Sequence, residues 1–168
     1  MTPEQLSTQL RRGEGDFLEK RRGIVALALA AAGSMGLITL YQIGITKQLP
    51  EPPLPGFDAD KVDASEEAYS YFQTPDAVIG LGNYAVTLGL AAMGGIDRAK
   101  NQPWIPLALL AKAGVDAAQA ARLTVDQWTR HRAFCFWCLL AAGATFAALP
   151  LAVPEAVAAI GHLRKRLT

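Results

Sequence analysis

Cys135 and Cys138 are the only cysteines of this chain and stand three positions apart, in the stretch TRHRAFCFWCLLAAGATF, residues 129–146. On a helix, positions i and i+3 share one face. Such a pair at a helix start has the geometry of a dithiol that can close a disulfide. The first helical turn also favours a thiolate, because its unpaired N–H groups and the helix dipole stabilise negative charge. Arg130, His131 and Arg132 add positive charge just upstream. Leu139 follows Cys138, so the motif is not C-x-x-C-H and covalent haem attachment is excluded. A zinc site would need two further ligands and His131 alone is near, so no metal centre is expected. The competing reading is two small apolar residues packed inertly in a helix interior.

The elements that must position this pair read as membrane helices. Hydrophobic residues make up 51% of the chain and charged residues only 18%, below the share usual in soluble domains. The net charge of +1 gives no basic excess for nucleic acid, and no Gly-rich phosphate loop or repeat is present. Residues 1–22 are polar and predict a short surface helix or tail. Residues 23–45, GIVALALAAAGSMGLITLYQIGI, carry no charge and as a helix would span about 34 Å, enough to cross a bilayer core. This run exceeds the apolar core of a signal peptide, so an uncleaved transmembrane helix is expected. Residues 46–73 form a loop, begun by Pro50, Pro52, Pro53 and Pro55, with a short amphipathic helix in DASEEAYSYF capped by Asp63 or Ser65. Tyr69 and Phe72 would dip together into the membrane interface.

A second helix is expected over 74–96, with Thr74 as cap and thin faces at Gly80, Gly82, Ala85, Gly89 and Ala92 suited to helix–helix contact. A third, over 103–125, carries Lys112, Asp116 and Gln119 on one face, either turned into the bundle or lying flat at the interface. The fourth covers 133–153 and continues to about His162, with a kink or break at Pro150 and Pro154, where Glu155 would suit a helix restart. Residues 163–168 form a basic tail. Trp104, Trp128, Trp137 and Tyr84 suit interface or packing positions.

Charge placement favours four crossings. Arg11, Arg12, Lys20, Arg21, Arg22, Arg98, Lys100, Arg164, Lys165 and Arg166 are ten of the sixteen basic residues. With four helices all ten fall on one side, the cytoplasmic side by the positive-inside rule, together with both termini. The Pro-rich loop and the Cys135 end of the fourth helix then share the outer side. The fold class expected is all-α, an integral membrane four-helix bundle.

Two stretches carry a family resemblance: ASEEAYSYFQTPDAVIGLGNYAV, residues 64–86, and FCFWCLLAAGATF. With the helix layout, they resemble the vitamin K epoxide reductase (VKOR) family over roughly residues 20–150. Its bacterial members are membrane thiol–quinone oxidoreductases of the inner membrane. The resemblance implies that Cys138 faces a quinone of menaquinone or ubiquinone type and that Cys135 is the exchange partner. Asp76 stands where the family has a polar residue that bonds the quinone carbonyl, although an acid there also suits a helix N-terminus. Trp137 is placed to line the same pocket. One departure is large. The outer loop has Val62, Asp63, Ala64 and Ser65 where the family has its relay cysteines. Thiol exchange needs a sulfur within reach, so electrons would have to come from a partner, thioredoxin-like or otherwise. The alternative is a catalytically degenerate accessory subunit of a larger membrane complex. A transporter has thin support in the polar face of the third helix.

Overall fold

A computed structural model describes residues 2–167, without the side chain of Leu167. Its helices are α1 (Pro3–Arg12), α2 (Asp16–Gln42), α3 (Ala59–Asp63), α4 (Asp76–Ala92), α5 (Arg98–Asn101), α6 (Trp104–Asp126) and α7 (Phe136–Leu167). A 3-10 turn, Glu66–Tyr69, follows α3, and a π-turn, Gln127–His131, extends α6. Thr2 and Gln5 cap α1 reciprocally, side chain to backbone. Asp16 and Glu19 lie in the first turn of α2, where acids complement the dipole. α2 therefore starts seven residues before the charge-free run that predicts it.

The four long helices form an antiparallel bundle. α2 packs against both α4 and α7, and α6 packs against α7. The interior is built from small residues: Ala28, Ala31, Ala91, Ala113, Ala117, Ala141, Ala144, Ala148 and Ala152 are all buried. Small side chains let helix backbones approach closely, which replaces the hydrophobic driving force that lipid cannot supply. The thin face expected on α4 divides in two. A Cβ on Gly80 would meet Met35 Sδ at 2.8 Å, so this glycine lies in the α2 contact. Gly82, Ala85, Gly89 and Ala92 are exposed and face away from the bundle.

α2 and α7 are long and apolar enough to cross a membrane. α4 is shorter, at 17 residues. The apolar run of α6 is interrupted by Lys112, Asp116 and Arg122. Lys112 and Asp116 turn inward as one of the two expectations had it. Lys112 Nζ lies 2.6 Å from Asp116 Oδ2 and donates to Thr87 Oγ1 at 2.9 Å, while Asn83 donates to Asp116 Oδ1 at 3.0 Å. Gln119 is exposed. Leu29, Val86, Val115, Phe146 and Val157 are exposed on the outer faces of the bundle, as lipid contact requires.

Two sequence expectations for α7 are corrected. The expected break is absent: α7 is one helix through Pro150 and Pro154. Glu155 restarts nothing; it is buried, 3% exposed, and takes Arg98 in a two-pronged pair, Nε–Oε1 2.8 Å and Nη2–Oε2 2.6 Å. That pair belongs to a polar cluster at the end of the bundle opposite the cysteines. The last carbonyls of a helix have no N–H partners of their own. Arg21 supplies them, donating to the carbonyls of Ala91, Ala92, Met93, Gly94 and Gly95 at 2.9–3.2 Å. Arg98 adds bonds to Leu90 and Met93 at 2.7 Å. Gly94, at φ +80°, turns the chain so that these carbonyls converge. Two of the ten basic residues used to orient the chain are thus internal ties.

Candidate functional site: a dithiol and a carboxylate beneath a proline strap

The site is assembled at the start of α7. Cys135 is the residue just before the helix, and the Cys138 N–H donates to its sulfur at 3.3 Å. Cys135 is thus a sulfur N-cap, a role usually played by Ser, Thr or Asp. Its own N–H is held by Gln127 Oε1 at 2.9 Å, from the π-turn. Arg132 adopts left-handed φ, +53°, and lets the chain reverse from that turn into α7.

The loop after α2 is strapped over this helix start. Phe134 N–H donates to Gly56 O at 2.8 Å and Asp58 N–H to Phe134 O at 2.9 Å, a short parallel bridge between residues 57 and 134. Gly56 takes φ +93° there, a conformation that L side chains rarely adopt. Glu51 clasps two segments at once: Oε2 accepts from Ala59 N–H at 2.7 Å and Oε1 from Phe136 N–H at 3.0 Å. Trp137 Nε1–H donates to Pro50 O at 2.9 Å. Trp137 also packs against the apolar cluster of Ile38, Val62, Ala77 and Cys135, and meets Phe136 edge-on.

The strap delivers α3, and α3 delivers Asp63. The short helix is capped by Asp58, whose Oδ1 accepts from Lys61 N–H at 3.0 Å. Asp63, expected as a cap, instead ends α3 and is buried at 3% exposure. The Cys138 S–H donates to Asp63 Oδ1 at 3.4 Å. Asp63 Oδ2 is buried with no hydrogen-bond partner among the described residues. One ligating atom from each of Asp63, Cys135 and Cys138 lies within 4.8 Å of the other two. Burial pushes the Asp63 carboxyl up to about 6; hydrogen bonds from Cys135 and Cys138 pull the other way, and the acids Asp76 and Glu51 push it further up. Cys135 is fully buried, Cys138 partly exposed, and both thiols are free.

Gln42, at the end of α2, ties this corner to α4. Its Nε2 donates to Asp63 O at 3.1 Å and to Asp76 Oδ1 at 2.8 Å, and its Oε1 accepts from Ala77 N–H at 3.3 Å. Tyr69 O–H donates to Gln42 O at 3.0 Å, whereas Phe72 is 94% exposed, so these two aromatics do not share a face. Asp76 is the first residue of α4, and its bond to Gln42 engages one carboxylate oxygen. A crevice between the four long helices contains Tyr84, Thr87, Asp116 and Thr145 and is lined by neither cysteine.

The sequence brings forward Cys135, Cys138, Asp76 and Trp137, and the structure gathers all four at one end of the bundle. Sequence reasoning misses Asp63, Glu51, Gln42 and Gln127 as members of that site. For Asp63 a signal exists: it is the one ionisable group among Val62, Asp63, Ala64 and Ser65. For Glu51 the signal is an acid inside a proline run. Gln42 and Gln127 have none, because a glutamine at a helix end is ordinary.

A search of the curated proteins finds no match. Residues 23–153 match the vitamin K epoxide reductase family. That family, with two helices long and apolar enough to span, marks a membrane protein. A helical bundle, a C-x-x-C at the head of its last helix, and a match over most of the chain converge: this chain belongs to the vitamin K epoxide reductase family, and lacks cysteines in the loop after α2.

Proposed function

We propose that this chain is a quinone-linked thiol oxidoreductase that works in trans, on electrons supplied by a partner dithiol. The observation that supports it above all is the juxtaposition of two free thiols and a buried carboxylate at the head of α7. In the forward half-reaction the Cys138 thiol gives its proton to Asp63, and its sulfur becomes the electron donor. Closure of Cys135–Cys138 oxidises two thiols to one disulfide. Two electrons and two protons pass to the quinone, which leaves as quinol. A partner dithiol then attacks Cys135, forms a mixed disulfide and leaves oxidised, restoring both thiols. The quinone, of menaquinone or ubiquinone type, supplies the two-electron acceptor when bound. Asp63 holds and releases the proton, and Gln42 fixes the segments on which Asp63 and Asp76 stand.

The basic residues outside the polar cluster, Arg11, Arg12, Lys100 and Arg164 among them, support a bacterial inner-membrane topology with both termini cytoplasmic and the thiols outward. A partner can reach Cys135 only if the strap lifts, because that sulfur is covered. The test is turnover: purified protein, a reduced dithiol donor and a soluble quinone, followed by the quinone absorbance. Wild type is expected to turn over and Cys138→Ser to be inactive. Equal rates would remove the proposed role of Cys138.

A second reading, an accessory subunit of a larger membrane assembly, is favoured by one observation. The exposed stripe of Gly82, Ala85, Gly89 and Ala92 on α4 is the thin surface a neighbouring helix uses. Stoichiometric co-purification with a membrane partner, unaffected by loss of both thiols, supports that reading; a monomer after gentle extraction contradicts it.

A further inference from the structure

The geometry points to a metal site: we infer that Asp63, Cys135 and Cys138 in their reduced form bind one thiophilic divalent ion of the zinc type. The sequence contains no such site, because Asp63 lies more than seventy positions from the cysteines. The fold supplies the third ligand. A zinc–thiolate bond of about 2.3 Å and a zinc–carboxylate bond of about 2.0 Å, at a tetrahedral angle, separate the sulfur and oxygen by about 3.5 Å. Cys138 Sγ and Asp63 Oδ1 lie 3.4 Å apart, and the three ligating atoms are all within 4.8 Å of one another.

Three features independent of that spacing support a ligand here. Asp63 Oδ2 is buried and has no partner among the described residues, a cost that a cation would remove. Two thiolates and one carboxylate around a divalent ion leave a net charge of −1, and it would sit at the N-terminus of α7, where the helix dipole favours it. The Cys138 N–H already points at Cys135 Sγ, the kind of outer bond that orients a metal ligand. Three protein ligands leave the fourth position open to water, as in non-structural zinc sites. On binding, two S–H bonds break, two S–metal bonds and one O–metal bond form, two protons leave, and no electrons move. A dithiol held in this way cannot close to a disulfide. Metal binding would therefore hold the pair reduced and idle. The binding inference does not depend on the quinone reading, since it needs only reduced thiols.

Cobalt(II) is the probe. The full chain in detergent, reduced and freed of reductant, is expected to take up one Co2+ with a thiolate-to-cobalt band in the near ultraviolet, which Zn2+ then displaces. Asp63→Asn is expected to weaken Co2+ at least tenfold, and Cys138→Ser to lose the thiolate band. Wild type oxidised beforehand to the disulfide is expected to bind none, a control that requires no altered fold. Absence of the band in reduced wild type would overturn the inference. So would unchanged affinity in Asp63→Asn, or an equal band in the oxidised protein. Quinone reduction is read separately, so loss of one result leaves the other standing.

Discussion

The two ends of the bundle both bury charged side chains, and they do so in opposite ways. At one end Arg98 and Glu155 make a two-pronged ion pair, and Arg21 and Arg98 together bond the carbonyls of Leu90 through Gly95. The buried polar groups there have partners, and the cluster locks α2, α4 and α7 together. At the other end Asp63 is equally buried, yet its side-chain hydrogen bond is to a thiol and its Oδ2 has no partner among the described residues. A satisfied cluster stabilises a fold; an unsatisfied one stores free energy that a ligand or a reaction can release. This difference separates the structural end from the chemical end more sharply than burial or charge alone.

The comparison breaks most visibly at the arginine end. Arg98→Met leaves Glu155 as an unpaired acid in the interior and is expected to cost about 3–5 kcal/mol, seen as a large fall in thermal stability and in the yield of folded protein. A small loss would mean that water reaches this cluster. At the cysteine end the sign is reversed. Asp63 has its carboxyl raised by burial from 3.8 to about 6, so between those values the folded chain holds a proton that the unfolded chain has lost. Stability from this group therefore increases as pH falls from 7 through about 6 to 4. At neutral pH the ionised acid costs roughly 3 kcal/mol. Asp63→Asn should raise the melting temperature at pH 7 and abolish this part of the pH dependence. A variant less stable than wild type at pH 7 would show the carboxylate to be a net support.

Smaller effects sharpen the picture of the strap. Glu51→Ala removes the acceptor of two backbone bonds, those from Ala59 N–H and Phe136 N–H. At about 1.5 kcal/mol or more for each, this should expose Cys135 and speed its alkylation by a maleimide at least tenfold. An unchanged rate would mean that other contacts hold the strap. Trp137→Phe removes the single bond to Pro50 O and should cost only about 0.5–1.5 kcal/mol, with a correspondingly slight gain in alkylation. A large loss would assign Trp137 a role beyond packing.

Much of this architecture is legible in the residues. The Thr74-Pro75 pair and the basic-to-apolar step before Cys135 place the starts of α4 and α7 within three positions, and the charge-free run beginning at Gly23 places that of α2 within seven. What stays hidden are long-range polar contacts. Arg98 reads as a loop charge facing water, because nothing local reveals a carboxylate one helix away. Glu155 reads as a capping acid because Pro154 precedes it, yet tertiary pairing carries α7 through both prolines. Asp63 reads as a cap or as a vacancy in a relay. Its meaning depends on Gly56 and Glu51 folding the loop back onto α7, a contact set by tertiary geometry and not by periodicity.

The most direct test of the central claim is a single turnover without any partner. Reduced, reductant-free protein is mixed with excess soluble quinone, and quinol and free thiols are counted together. Redox function of Cys135 and Cys138 predicts one quinol formed and two thiols lost per chain, with neither change in Cys138→Ser. Quinol without loss of thiols, or two thiols persisting in excess quinone, would contradict it.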